Sequence, residues 1–135
     1  MKKDIAFPKV EGLAMAIVPD QPGTDNSTGW SVYLINLEER TLETVLVTSK
    51  GYGEIKGRKK DTSIMRHQLG TIEGPQAIKV EGIIEEVFQL TNEFWVSFWL
   101  DGKLYDKKYL FVPGSVHPNN FTEIPVLNDR GVMIK

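Results

Sequence analysis

The residues best able to do chemistry fall in two short stretches. Between positions 50 and 60, Lys50, Lys56, Arg58, Lys59 and Lys60 stand against Glu54 alone, with Tyr52 among them and Arg66 just beyond. Cations at that density neutralise phosphates, and an aromatic ring beside them gives a base a surface to stack on. The segment is therefore a candidate for binding nucleic acid, RNA in particular. The second group is aromatic. Trp95, Trp99, Tyr105 and Tyr109 recur on either side of Asp101-Gly102, and an exposed aromatic patch serves a protein, peptide or glycan partner.

Catalytic sets are harder to assemble. The chain has no cysteine and two histidines, His67 and His117. That removes disulfides, thiolate zinc sites, iron–sulfur clusters, cysteine nucleophiles and a three-histidine zinc site. A mixed metal site at His67 would need carboxylates such as Asp61 or Glu73, and no ligand spacing supports one. Pro113-Gly114-Ser115-Val116-His117 lacks the Gly-x-Ser-x-Gly elbow, and a serine two positions from a histidine is not a nucleophile–base pair. Glu85 and Glu86 are adjacent and project differently.

Gly51-Tyr52-Gly53-Glu54-Ile55-Lys56-Gly57 invites a phosphate-loop reading. A P-loop needs four residues between its glycines and then Lys-Ser or Lys-Thr, whereas only three residues lie between Gly53 and Gly57 and Arg58-Lys59-Lys60-Asp61 follows. The expectation is a non-enzymatic chain with no metal, no cofactor and no catalytic residues.

The elements that must position these groups are mostly strands, because the apolar period is two. Residues 9–18 form a strand candidate ending at Pro19, followed by a turn-rich loop over 19–29. Residues 30–37 and 42–49 are rich in β-branched and aromatic types, and the four polar residues between them read as a hairpin connection. Residues 51–61 read as a loop. Residues 62–70 fit either a short helix capped by Ser63 or a strand. Residues 76–82 read as a strand, and 83–90 as a helical turn or two.

The strongest local signal is the hairpin Phe94–Val112. A three-residue loop Asp101-Gly102-Lys103 would set Leu100 opposite Leu104, placing aliphatics on one face and Trp95, Trp99, Tyr105 and Tyr109 together on the other. A two-residue Asp-Gly loop would mix the faces. Thr122–Leu127 is a last short strand, with an apolar remnant at Val132-Met133-Ile134.

At 135 residues, 41% hydrophobic, 25% charged and net charge −2, the chain is one domain of ordinary size with enough apolar content for a core. It is too short for a two-domain enzyme and too nearly neutral for global attraction to nucleic acid or an anionic membrane. No run approaches the ~18 apolar residues of a membrane helix. Residues 1–8 lack the apolar run of a signal peptide, so the expected location is cytoplasmic, where the triplets Asn26-Ser27-Thr28 and Asn120-Phe121-Thr122 carry no glycan.

About seven short strands at regular spacing predict an all-β, antiparallel sandwich with one or two short helical turns. Val32-Tyr33-Leu34-Ile35-Asn36, Leu42-Glu43-Thr44-Val45-Leu46-Val47 and the Phe98–Tyr105 hairpin, taken as the last pair of strands, resemble an immunoglobulin-like or fibronectin-like sandwich without the cysteine pair of true immunoglobulin domains. Val45–Gly53 and Tyr105-Asp106-Lys107-Lys108 also resemble a small uncharacterised bacterial family. Some of its members carry a phenylalanyl-tRNA synthetase label, but this chain is short for a synthetase catalytic domain and shows no aminoacylation motif. That family has no established function and a sandwich fold hosts many roles; the expected function is a non-enzymatic protein-interaction or accessory module with a protein partner. The alternatives are RNA binding through 50–60, and glycan or peptide binding on the aromatic hairpin.

Overall fold

The computed structural model describes residues 10–21 and 28–135. The N-terminal stretch 1–8, where no signal peptide was expected, and most of the 19–29 loop lie outside them. Ten strands and two short 3-10 turns make up the described chain: β1 (Leu13–Pro19), β2 (Trp30–Asn36), β3 (Thr41–Ile55), β4 (Arg58–Asp61), β5 (Met65–Glu73), β6 (Gln76–Ile83), a 3-10 turn Glu85–Gln89, β7 (Thr91–Leu100), β8 (Lys103–Phe111), a 3-10 turn Pro118–Asn120, β9 (Thr122–Ile124) and β10 (Asp129–Ile134).

They form two antiparallel sheets, so the fold is an all-β sandwich. The first sheet has the order β6-β2-β1-β10-β9. In the second, β3 pairs with β7 along one side, β8 flanks β7, and the other side of β3 is shared by β5 and β4.

Alternation of side chains builds the core. Leu13, Met15 and Ile17 of β1 and Val32 and Leu34 of β2 meet Leu42, Val45 and Val47 of β3 and Phe94, Val96 and Phe98 of β7, all buried in one cluster. Removing that much apolar surface from water is the main stabilising contribution. Trp30 packs at the edge of the layer, with ring centroids 5.0 Å from Phe88 and 6.1 Å from Phe121 at steep angles, the edge-to-face geometry that aromatic quadrupoles favour. Through Phe88 the 3-10 turn closes one end of the sandwich.

Several expectations change. Residues 30–37 and 42–49 are not a hairpin: β2 belongs to the first sheet and β3 to the second. The connection crosses between sheets and is held by Asn36, buried in full, whose amide donates to Arg40 O at 2.9 Å and Ile72 O at 3.4 Å. A polar link of four residues can cross between layers as well as turn back. Residues 62–70 hold no helix: the chain is strand from Met65 onward, and 83–90 contain one 3-10 turn. The strand at 122 ends at Ile124, and the apolar remnant beyond it is β10, which pairs with β1. The Phe98–Tyr105 hairpin is therefore not the last pair of strands.

The segment read as a loop over 51–61 is also strand. β3 runs on to Ile55 and turns at Lys56-Gly57 into β4, with Ile55 opposite Arg58. Lys56 (φ +54°) and Gly57 (φ +77°) both take left-handed backbone, as a two-residue type I′ hairpin turn requires. The phosphate-loop reading fails for the same reason, since Gly51 and Gly53 lie within β3 and Gly57 in a hairpin turn between two strands. β7 ends its pairing with β3 at Tyr52, so the tip of the β3–β4 ribbon has a neighbour on one side only.

Candidate interaction surface

The aromatic hairpin turns through Asp101 (φ +51°) and Gly102 (φ +76°), again a type I′ pair. Leu100 stands opposite Lys103 and Trp99 opposite Leu104. This is the two-residue register, and it overturns the three-residue one, because the turn residues fix the pairing whatever the segregation of side chains. It also separates the four aromatics. Trp95 and Trp99 point outward from the second sheet with Leu104 and Leu110, while Tyr105 and Tyr109 point to the core side, where Tyr109 is 1% exposed and Tyr105 stacks on Phe98 at 5.6 Å.

The outer face of the second sheet gathers what the sequence had kept apart. Register places Arg66 of β5, Thr48 of β3, Trp95 of β7 and Lys108 of β8 in one row. The next row holds Gln68, Leu46, Ser97 and Asp106. Beyond these lie Lys50, Glu93 and Leu110 at one end, and Glu43, Trp99 and Leu104 at the other. Leu46, Ile64, Trp95, Trp99, Leu104 and Leu110 are each 41–60% exposed, a concentration of large apolar side chains that goes beyond single exposed residues.

Polar groups on the face are in contact with one another. The Lys108 ammonium sits 5.0 Å from the Trp95 ring centre, and Lys50 lies 5.8 Å from that of Tyr52 and 3.8 Å from the Glu93 carboxylate. The Tyr52 hydroxyl donates to Glu93 at 3.2 Å. Burial first, and then the neighbouring carboxylate, hold the Tyr52 phenol above its ordinary pKa. A depression of about 460 Å³ runs between Leu46, Arg66, Trp95 and Lys108. A second, of about 500 Å³, adjoins it through Lys50 and Glu93 and reaches Tyr52 and Lys59.

Of the basic candidates, the structure therefore brings Lys50, Tyr52 and Lys59 to the tryptophan face. Lys56 and Lys60 border a different hollow with Glu86 and Gln89, and Arg58 is exposed near the ribbon tip. Across the four-strand face Lys50, Arg66 and Lys108 are matched by Glu43, Glu93 and Asp106, so the face as a whole is close to neutral.

Comparison with protein-family models, curated proteins and solved structures finds no match.

Sequence reasoning missed one cluster entirely. His67 Nε2 lies 2.7 Å from Glu81 Oε1, and the Ser49 hydroxyl donates to the same oxygen at 2.6 Å. Glu81 belongs to the first sheet, Ser49 and His67 to the second, so the carboxylate clasps the two layers. A bulge in β6 opposite Val32 and Tyr33 turns Glu81 inward, and no sequence pattern announces it. A relay for nucleophilic catalysis sets the histidine between nucleophile and acid. Here the carboxylate is in the middle, so neither serine nor histidine activates the other. Asp61 and Glu73 do not meet His67, and no cluster of metal-ligating side chains occurs among the described residues.

Proposed function

We propose that the chain is a non-enzymatic protein-interaction module whose working surface is the outer face of β5-β3-β7-β8. The observation that carries this is the set of six large apolar side chains, Trp95 and Trp99 included, standing in water on one sheet face with charges of both signs around them. Interfaces draw their affinity from buried aromatic anchors within a polar rim. The balanced charge favours a protein over a polyanion. The absence of cysteine fits a reducing, cytoplasmic location, and no helix among the described residues is long and apolar enough to cross a membrane. Two antiparallel sheets fit the immunoglobulin-like reading in outline, with β9 and β10 as additions beside β1.

Affinity capture tests the proposal. Wild type should hold a protein partner that Trp99→Ala loses. A Trp99→Ala variant that keeps the full partner set removes the reading, as would tryptophan fluorescence fully shielded from acrylamide in a monomer.

A second reading has one observation behind it: Lys59 joins Lys50 and Tyr52 beside a depression continuous with Trp95. Cations lining a trough with stacking rings are what a single-stranded nucleic acid needs. Fluorescence anisotropy with a labelled single-stranded RNA decides it. Binding that falls steeply as salt rises and is lost on reversing Lys59 and Lys60 supports it, and no binding at about 50 mM salt ends it. A glycan on Trp95 and Trp99 is the remaining alternative, now without Tyr105 and Tyr109.

A further inference from the structure

We infer that the partner seated on this face is a second copy of the chain, packed sheet against sheet about a two-fold axis. The inference rests on the reading of the face as a protein-binding surface and names its occupant. The argument is the arrangement of charge. One half of the face carries Lys50, Arg66 and Lys108 against Glu93, and the other carries Glu43 and Asp106 with no cation. A cationic half beside an anionic half is complementary to itself once turned over.

A two-fold interface sets each patch on its own counterpart with the order reversed. For two facing sheets the axis lies in the plane between them. Run across the strands, between the Trp95 row and the Ser97 row, it exchanges the two halves. Lys108 then meets Asp106 of the second copy, and Lys50 meets its Glu43. Size is matched as well. On β3 and β7 at the centre Leu46 falls over Thr48 and Trp95 over Ser97, so large side chains oppose small ones there, while at the rim Leu110 meets Leu104 and Trp99 lies over Glu93.

The usual rotation of about 30° between stacked sheets moves the outer pairs more than the central ones. Four strands about 4.8 Å apart and some nine residues of strand length make a face of roughly 20 by 30 Å. That approaches the ~800 Å² per partner of a stable interface. The edge of β8 is one competing route to self-association, and it carries Lys103, Lys107 and Lys108, the residues that discourage edge-to-edge pairing.

Sedimentation velocity over a concentration series tests this with two variants, Lys50→Glu/Lys108→Glu and Glu43→Lys/Asp106→Lys. Wild type should dimerise. Each variant alone should associate more than about tenfold more weakly, because like charges then face each other. An equimolar mixture of the two should recover the dimer, which also shows that both are folded.

A single Asp106→Lys substitution at an exposed position should weaken the dimer without disturbing the fold. A dimer indifferent to all these substitutions lies elsewhere and overturns the inference. So does a mixture of folded variants that stays monomeric. A monomeric wild type overturns it too. In that case Trp99-dependent capture of another protein leaves the face as the binding surface, and loss of that dependence removes both. A monomer that instead binds single-stranded RNA through Lys59 and Lys60 overturns the inference in favour of a nucleic acid.

Discussion

The two sheets have one face each turned away from the shared core, and the two faces could hardly be finished more differently. On the first sheet, Ala14, Ala16, Val18, Ile35 and Ile124 form a second buried cluster, with Tyr33, Leu37, Ala77, Leu127 and Met133 packed against it. Its central strand is buried along nearly its whole length. On the second sheet the corresponding positions carry Trp95, Trp99, Leu46, Leu104 and Leu110, which remain in water. Small side chains let neighbouring residues close over a surface, whereas large ones stand above it. The first face is finished within the chain. The second has the composition of an interface core and its surrounding charges, and nothing in the described chain covers it.

The largest effect that tests this contrast comes from the covered face. Ile35 is fully buried there, so Ile35→Ala removes packed methylene groups and leaves a cavity. Chemical denaturation should show a loss of about 3 kcal/mol. A loss below about 1 kcal/mol would mean that the first face relaxes like an exposed one, and the contrast would fail.

Next in size is the clasp between the sheets. Glu81→Ala deprives Ser49 and His67 of their shared acceptor in a mostly buried corner. Leaving buried donors unpaired costs about 2 kcal/mol. The expected outcome is a lower denaturation midpoint with an unchanged partner or dimer, because the clasp lies on the core side and the interaction face does not use it. If Glu81→Ala abolished association at unchanged stability, the working surface would be at the sandwich corner instead.

The strand pattern was legible because β-branched and aromatic residues alternate. The sandwich follows from it, since strands with one apolar side must pair two layers. What stayed hidden is how neighbouring strands associate. Register within the aromatic hairpin hangs on two turn residues, Asp101 and Gly102, so a slip by one position moved Tyr105 and Tyr109 to the wrong side. The β3–β4 ribbon was read as a loop because its turn begins with lysine in left-handed backbone, a rare choice beside Asn or Asp. Glu81 meets His67 across layers through a bulge, which leaves no periodic trace. The residues of the surface were visible in the sequence, then, while their grouping needed the sheet.

A smaller effect separates the two sides of β8. Tyr109 lies on the core side with its hydroxyl buried and without a hydrogen-bond partner, and burial holds the phenol far above its ordinary pKa although Arg40 acts in the opposite direction. Tyr109→Phe removes an unsatisfied polar group and should stabilise by about 1 kcal/mol at neutral pH. The pH dependence follows from linkage. Above pH ~10 the phenol ionises in the unfolded chain but stays protonated in the folded one. The folded state therefore binds more protons, and stability falls as pH rises. Denaturation midpoints between pH 9 and 11 should fall less steeply in Tyr109→Phe than in wild type. Equal slopes would mean that this hydroxyl reaches water.

The smallest change in stability belongs to the exposed side of the same strand. Leu104 is 60% exposed and stands opposite Trp99. Leu104→Thr keeps a strand-favouring side chain at a position where the fold buries little, so stability should stay within about 0.5 kcal/mol of wild type. Association should nevertheless weaken, because an interface that closes over Trp99 must also close over its cross-strand neighbour. Ile35→Ala and Leu104→Thr thus form a matched pair of aliphatic changes on the two outer faces, the first read in denaturation and the second in sedimentation. If Leu104→Thr lowers stability and leaves association intact, the exposed leucines serve the fold of the second sheet and its outer face is not where the molecule meets its partner.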